Sequence, residues 1–521
     1  NDKLDARNFF DIEKPPYLWN QIAILLGGPI RKDKTFIFGD YQGTRVRQGQ
    51  TFVSTVPTLA MHNGNFLELE TAIYDPMTTD PDTGARQLLN PADPFAIPST
   101  EFNAVGKAIL DLYPLPNRPG AGIFNNYVLN PKLSNTQDSF DIRFDHRFRE
   151  QDQLFVHYSF GDVDSIRPAS LGDLGGDYCC PSRSKNRSQH AAAGWTHTFG
   201  PNLLNDLHGG AFRYLVKGLP LNFGKNVAEQ LGIPNANRGD PTSSGLSFIE
   251  VSGFQNLGDS LWTPEFAAEN IFQIADTLSW VRGKHSLKFG VDFRRQQRNF
   301  FQTTAPRGWF SFSSLFTQDL ATGDGGNGAA DLLLGLPSYI QQDNLQGPYP
   351  TRYWDLAGFV QDDFRVTPNL TLNLGLRYEV TSPTNGRIGN FDLARAVVVN
   401  AEGPNGVPHA GVKFDTNNWG PRVGLAWSPF GGKRTVVRSA FGVFYSTEGN
   451  IFDDLGLNPP YLLVDSAVFN PGVVPSSGQF VSDGFSSTVT FPDPNSPSGT
   501  VRTNGPKRVV PYIMEWNFNI Q

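Results

Sequence analysis

From Phe140 onward the odd and even positions of the chain separate: Phe140, Ile142, Phe144 and Phe148 fall on one side of an extended backbone, and Asp141, Arg143, Asp145, Arg147 and Arg149 on the other. A period of two is the signature of a strand, because successive side chains point to opposite faces of a sheet. The split recurs at Leu370, Leu372, Leu374, Leu376, Tyr378 and Val380 against Thr371, Asn373, Gly375, Arg377 and Glu379. It recurs again at Tyr512, Met514, Trp516, Phe518 and Ile520 against Ile513, Glu515, Asn517, Asn519 and Gln521. These are long strands with one apolar face and one wet face.

The connections alternate as well. Tight turns are predicted at Arg31–Lys34, Glu150–Gln153, Gly200–Leu203, Arg282–Lys284, Pro368–Asn369 and Phe430–Arg434, all rich in Gly, Pro, Asn or charge. Between them lie segments of several tens of residues, about 49–137, 218–266, 301–352, 384–417 and 448–509, of a length rare in compact soluble domains. The composition agrees: charged residues are 18% of the chain, below the roughly 25% of an average soluble domain, while Gly (53) and Pro (39) are abundant.

Short turns at one end, long loops at the other and strands with one apolar face are what a bilayer asks of a β-barrel. In hydrocarbon every backbone polar group must find a partner, and strands achieve that only in a closed sheet. The fold class expected is therefore all-β, an antiparallel transmembrane β-barrel. Trp195, Phe199, Trp280, Tyr378, Trp427, Tyr445 and Trp516 are placed near strand ends, at headgroup level. Arg143, Asp145, Lys288, Asp292, Arg294, Arg377 and Glu379 would line a wet or plugged lumen, which reconciles a membrane protein with a mean hydropathy of −0.32.

Other classes are excluded. No apolar run approaches the ~18 residues of a spanning helix. A net charge of −7 without a basic run argues against nucleic acid. No CxxC or HxxxH spacing occurs, so no metal site is expected, and nothing points to a cofactor. Enzymatic signatures are missing too: there is no Gly-x-Ser-x-Gly elbow or phosphate loop, and the adjacent Asp453 and Asp454 are a poor catalytic carboxylate pair.

The stretch Asn20-Gln21 through Gly27-Gly28-Pro29-Ile30, continuing as Lys32-Asp33-Lys34-Thr35-Phe36-Ile37-Phe38-Gly39-Asp40-Tyr41-Gln42-Gly43-Thr44-Arg45, resembles Oar-like TonB-dependent outer-membrane receptors. Leu4–Phe10, Thr55–Thr58, Gly283–Gly290, Phe359–Asp363 and Leu374–Glu379 extend the resemblance over nearly the whole chain. It implies a 22-stranded barrel around an N-terminal plug, with the tight turns periplasmic and the long loops extracellular. On that reading residues 1–19 form the first outer loop and residues 20–521 carry strands two to about fourteen. The chain would be a fragment lacking the signal peptide, plug, TonB box and the C-terminal strands. The resemblance further implies import of a bulky ligand (glycan, peptide or metal chelate), energised by the proton-motive force through TonB with ExbB and ExbD. The setting would be the outer-membrane lipid and lipopolysaccharide of a Gram-negative bacterium. The alternative is a non-transporting surface or adhesion barrel of the same type.

Candidate ligand-binding residues are the loop aromatics and polars Trp309, Phe310, Phe312, Asp343, Asn344 and Tyr349; the competing reading is that such rings only pack the loops together. Gly328–Leu334 reads as a short loop helix. Asp324–Asn327 begins like a calcium loop but lacks the later acidic ligands, and reads as a turn. Cys179 and Cys180 bridge to each other only with strain, so a plain cysteine pair in a surface loop is favoured over a vicinal disulfide.

Overall fold

A computed structural model describes residues 6–9, 14–180, 182–430, 435–446 and 454–521. Leu4, Asp5, Phe10, Pro181, Asp453 and turn residues 431–434 lie outside the described residues. Thirteen strands follow one another in chain order, each antiparallel to the next. They are β1 (Tyr17–Arg31), β2 (Thr35–Gly49), β3 (Lys132–Arg149), β4 (Asp152–Arg167), β5 (Ser182–Gly200), β6 (Leu203–Leu219), β7 (Glu265–Arg282), β8 (His285–Phe301), β9 (Tyr349–Thr367), β10 (Leu370–Thr381), β11 (Trp419–Trp427), β12 (Val437–Tyr445) and β13 (Tyr512–Ile520). A two-residue strand, Asn385–Gly386, joins β9 and brings the sheet to 14 strands. β1 starts at Tyr17, slightly ahead of the predicted boundary.

Five of the six predicted turns fall where the sequence puts them, and the sixth, Phe430–Arg434, lies largely outside the described residues. Between β1 and β2 the chain reverses through Lys32–Lys34, with Asp33 in the left-handed region and Lys34 N–H donating to the Arg31 carbonyl at 3.0 Å. Gly283, at φ 62°, makes the corresponding corner between β7 and β8, a conformation costly for any residue with a Cβ. β11 and β12 also pair as a hairpin.

Strand register carries the predicted faces across the wall. Ile142 lies opposite Gly39 and Tyr158, Phe289 opposite Leu278 and Val360, and Leu374 opposite Asp362 and Val423. One face is thus a mainly apolar band from Ile24 and Leu26 on β1 to Met514 and Phe518 on β13, interrupted by Asp276, opposite Leu207 and Val291, and by Asp362, opposite Leu287 and Leu374. Ile24, Leu26, Ile142, Phe272, Ile274, Val291 and Leu374 are all exposed there. Aromatic rims bound the band. At the loop end, Tyr378 and Trp419 sit 4.4 Å apart and Tyr445 and Tyr512 5.8 Å apart. At the turn end, histidines join the rim, His146 on Phe148 and His197 on Phe199. Trp516 departs from its predicted place, lying in the middle of β13.

The long loops are not irregular. Most of the buried hydrophobic core lies in them, the wall adding Ala267, Phe300, Phe301, Tyr349 and Ala357. One cluster joins Met61, Phe66 and Ile109 from loop 50–131, Leu171 from 168–181, Ile233 and Ile249 from 220–264, Phe310 and Leu332 from 302–348, and Val481 and Phe485 from 446–511. A second, around Ile388, Ala410 and Leu455, anchors loop 382–418. The wall spends its apolar side chains on the bilayer, so the loops must supply each other's burial.

The predicted loop helix is present at Gly328–Leu333, capped by Asn327, whose side chain accepts from Ala329 N–H. It packs against the helix Ala104–Leu110, where a Cβ on Gly106 would lie 1.9 Å from the Leu332 carbonyl oxygen. Because that neighbour is backbone, Gly106→Ala is expected to force the helices apart at a cost of about 1–3 kcal/mol. Limited proteolysis of the full-length protein would show faster loop cleavage with an unchanged strand signal in circular dichroism.

Candidate functional site

Within the loop assembly, Phe248–Val251 runs parallel to Trp309–Phe312, which pairs antiparallel with Tyr339–Leu345, and that strand in turn with Leu462–Val468. Alternation sorts this small sheet as it sorts the wall. Phe310, Phe312, Ile249 and Val251 point into the loop core. Trp309, Tyr339, Gln341 and Asp343 take the opposite face.

Rings gather on that second face. Trp309 and Tyr339 are 4.9 Å apart and edge-on, and Tyr178 meets Trp309 at 6.1 Å and Phe248 at 5.9 Å. Tyr178 is 48% exposed, while Trp309 and Tyr339 are half-buried. A polar chain runs beside them: Tyr339 hydroxyl donates to Gln341 Oε1 at 2.5 Å, Gln341 Nε2 to Asp343 Oδ1 at 2.7 Å, and Thr303 hydroxyl to Asp343 Oδ2 at 2.9 Å. Burial pushes the Asp343 carboxyl up to about 6, against the opposing pull of the Gln341 and Thr303 hydrogen bonds. Apolar ring faces beside oriented amide and carboxyl groups can hold a ligand that is itself part apolar and part hydroxylated or amidic.

Of the predicted ligand-binding residues, the structure keeps Trp309 on this face with Asp343, whose side chain is itself buried. Phe310 and Phe312 are fully buried in the loop core, which corrects their assignment to ligand contact; alternation from Trp309 turns Phe310 inward. Asp343 and Asn344, expected to act together, face opposite sides of their strand for the same reason. Tyr349 is 2% exposed, packed edge-on against Phe300 at the seam between wall and loops, and is also a packing residue. Tyr178, Tyr339 and Gln341 were not foreseen. The alternation Tyr339-Ile340-Gln341-Gln342-Asp343 marks the last two, whereas nothing local marks Tyr178, which reaches the site from another loop.

Next to Tyr178, Cys179 and Cys180 form a disulfide with each other, in place of the plain cysteine pair that the strain of a vicinal bridge favours. Asp324 and Gly325 form a small hairpin with Gln318 and Asp319, as a turn should. Among the described residues no cluster of metal-ligating side chains occurs.

The seven predicted lumen residues share the polar face of the wall. Arg143 donates to Asp145 at 2.8 and 2.9 Å, Arg377 pairs with Glu379, and Asp292 accepts from Gln273 Nε2 at 2.9 Å. Lys288 and Arg294 lie on the same face of β8, at alternate positions. The loops close over this face: Leu345 and Leu457 pack on Ala267, Phe300 and Tyr349. It is the face opposite the apolar band.

A fully buried carboxylate holds the loop core. Asp331 accepts from Phe316 N–H at 3.2 Å, Thr317 N–H at 2.9 Å and the Thr317 hydroxyl at 2.6 Å, and burial raises it to about 7 despite these donors. A carboxyl raised in the folded state contributes stability fully present below its unfolded value near 3.8 and lost as pH rises through the folded value. The loop assembly is therefore expected to open more at about pH 8 than at about pH 5. Hydrogen exchange at Phe316 and Thr317, corrected for the intrinsic rate, would show this, and Asp331→Asn would flatten the slope.

A wall of antiparallel strands, an apolar belt between aromatic rims, and an opposite polar face capped by packed loops define an outer-membrane β-barrel. The chain belongs to the outer membrane beta barrel domain family, whose model matches residues 1–521. No curated protein matches it. Among solved structures it is similar to the outer membrane transporter YddB from Escherichia coli (8% identity, TM-score 0.41, covering 82% of this chain and 38% of that one). It is also similar to the siderophore receptor PirA from Acinetobacter baumannii (8%, 0.39, 84% and 41%) and the ferric-catecholate import receptor Fiu from E. coli K12 (9%, 0.39, 84% and 51%). The chain thus spans 38% to 51% of the length of these three structures.

Proposed function

We propose that this chain is the ligand-gathering part of a TonB-dependent receptor of the Oar-like type, importing a bulky ligand across the outer membrane. The observation that carries the reading is the aromatic and polar face of Trp309, Tyr339 and Gln341 on the loop sheet, joined by Tyr178 from a neighbouring loop. The motif from Asn20 to Arg45 supports the receptor type, and the ordered loops support capture outside the cell, with the tight turns in the periplasm. The wall's edge strands β1 and β13 do not pair with each other among the described residues. In the whole receptor further strands would close the sheet around a plug contacted by TonB with ExbB and ExbD. Glycan, peptide and metal chelate all suit this face.

The test is growth of cells carrying the full-length gene, with and without tonB, on a glycan mixture as sole carbon source, on peptides as sole nitrogen source, or on ferric chelates as sole iron source. Growth on one source that needs both genes, and that weakens with Trp309→Ala plus Tyr339→Ala, is the expected result. Growth on every source indifferent to tonB would overturn energised import and favour a surface or adhesion barrel.

A further inference from the structure

The aromatic face is built from two pieces held in different ways. Trp309 and Tyr339 stand on paired strands of the loop sheet, and backbone hydrogen bonds fix them there. Tyr178 comes from the segment that leads out of loop 168–181 into β5, and its neighbours in the chain belong to no strand. Up to Asp177 that segment is fastened to the loop core. Gly175 and Gly176 lie so close to loop 220–264 that a Cβ would stand 1.8 Å from the Gly258 carbonyl oxygen on one and 2.2 Å from the Asn256 carbonyl oxygen on the other. Gly176 N–H donates to the Gly258 carbonyl at 2.9 Å, and the Asp177 carboxylate accepts from Ser170 N–H at 2.7 Å and from its hydroxyl at 2.8 Å. From Ser182, paired with Arg167, the chain is wall. Tyr178, Cys179 and Cys180 lie between these anchors, and all three are exposed.

Ser260 reaches this exposed stretch from below. It is buried, and its carbonyl is bound by Arg307 at 3.0 Å. Its hydroxyl accepts from Cys180 N–H and donates to the Tyr178 carbonyl, both at 3.3 Å. Those distances exceed the usual range for either kind of hydrogen bond, so the hold is weak. The stronger constraint is the bond between Cys179 and Cys180, which closes a small ring through the peptide joining them and removes torsions about which the stretch would otherwise turn. Cys180 sits at φ 86°, in the left-handed region that a residue with a Cβ occupies only when its surroundings hold it there. The Tyr178 ring meets Trp309 and Phe248 edge-on at 6.1 and 5.9 Å. Such contacts add modestly to burial and do not by themselves fix a ring that is 48% exposed.

We propose that Cys179 and Cys180 are a reducible latch on the ligand face. With the disulfide closed, Tyr178 stands against Trp309 and completes the aromatic surface; with it open, Tyr178 leaves and ligand is held less tightly. The latch itself stands on the loop geometry, and the consequence for ligand rests on the function proposed above.

The co-reactant is a dithiol. One of its thiolates attacks an exposed sulfur of the pair, the bond between Cys179 and Cys180 breaks, and the second thiol of the reagent resolves the mixed disulfide. Two electrons and two protons pass to the pair, which ends as two thiols, while the dithiol ends as its own disulfide. An oxidised dithiol reverses each step. Because both cysteines are exposed, the reagent reaches them without the loops opening.

The test uses the full-length protein in phosphatidylcholine nanodiscs, with meta-fluorotyrosine placed at position 178 and folding checked by heat-modifiable gel mobility. Fluorine NMR is recorded before and after dithiothreitol, and alkylation with mass spectrometry reads whether both sulfurs have become thiols. Reduction is expected to shift and narrow the resonance, and Cys179→Ser with Cys180→Ser to give the opened spectrum without reagent and no further change with it. Hydrogen-exchange protection of Phe248–Val251 and of β5 should stay as it was, which separates release of the latch from general loosening of the loops. A resonance unchanged after complete reduction, a bond that dithiothreitol cannot open, or loss of protection in Phe248–Val251 would each overturn the proposal. In cells, the double serine variant should raise the concentration of the supporting source needed for half-maximal growth about fivefold, and add nothing in a Tyr178→Ala background. A shifted resonance with unchanged growth would overturn the link to ligand. If no glycan, peptide or ferric chelate supports growth that needs tonB, the import reading falls, while the nanodisc spectra still decide the latch.

Discussion

Leu374→Arg will destabilise the wall by about 2–4 kcal/mol, while Asn373→Arg, one residue away, will change stability by less than about 1 kcal/mol. Leu374 sits mid-strand on β10, 42% exposed on the apolar band, with Asp362 and Val423 as register neighbours. A guanidinium there stands among the lipid-facing side chains of Leu376 and Val423, and the carboxylate beside it, Asp362, is already engaged by His285 at 2.7 Å. Asn373 points to the polar face and donates to Asp363 Oδ1 at 2.6 Å, so an arginine in its place finds a carboxylate and water. Urea unfolding of the full-length protein in vesicles, read by gel mobility, would separate the two. Equal penalties at both positions would mean that the faces are not divided between lipid and lumen.

Arg307→Ala is expected to cost about 3–5 kcal/mol in the loop assembly, because it strands a buried carboxylate. Arg307 is 1% exposed, and its guanidinium donates to the Ser244 carbonyl at 2.9 Å, the Ser260 carbonyl at 3.0 Å and the Thr263 carbonyl. The charge facing it is Asp259, itself 1% exposed and accepting from Leu246 N–H at 2.8 Å and Asn222 N–H at 3.1 Å. Burial lowers the guanidinium to about 10 and raises the carboxyl, each offset by the other's charge. Removing the arginine takes its donors from the Ser244 and Thr263 carbonyls, leaves the Ser260 carbonyl only the Thr263 hydroxyl at 2.8 Å, and strips the Asp259 carboxylate of its counter-charge. The expected result is loss of hydrogen-exchange protection over Ser244–Phe248 while the strands keep theirs. The double variant with Asp259→Asn should recover part of the loss, since it deletes the stranded charge. If Arg307→Ala left exchange unchanged, the loops would owe their order to hydrophobic packing alone.

Arg86 does similar work at another junction, donating to the Leu315 and Phe316 carbonyls at 2.8 Å and to that of Pro471. Both arginines join loops distant in sequence, and neither stands out in the sequence from arginines on the wall. What makes them structural is the set of carbonyls that the fold brings to them, which has no local trace.

The strands, their faces and five of the tight turns were legible in the sequence because each is a local signal: a period of two in side-chain direction, and turn residues whose backbone preferences act over a few positions. The division of Arg143, Asp145, Lys288, Asp292, Arg294, Arg377 and Glu379 from the lipid face follows from that period alone, and a register held by backbone hydrogen bonds cannot undo it. The loops were legible only as length and composition. That they share one core, that Phe310 and Phe312 belong to it while Trp309 does not, and that Asp343 and Asn344 part company depended on a four-stranded sheet assembled from distant segments. Tyr178 was visible only as one ring in a surface loop. Only the tertiary arrangement set it beside Phe248 and Trp309, because contact between residues tens of positions apart is decided by packing and not by the chain's local preferences.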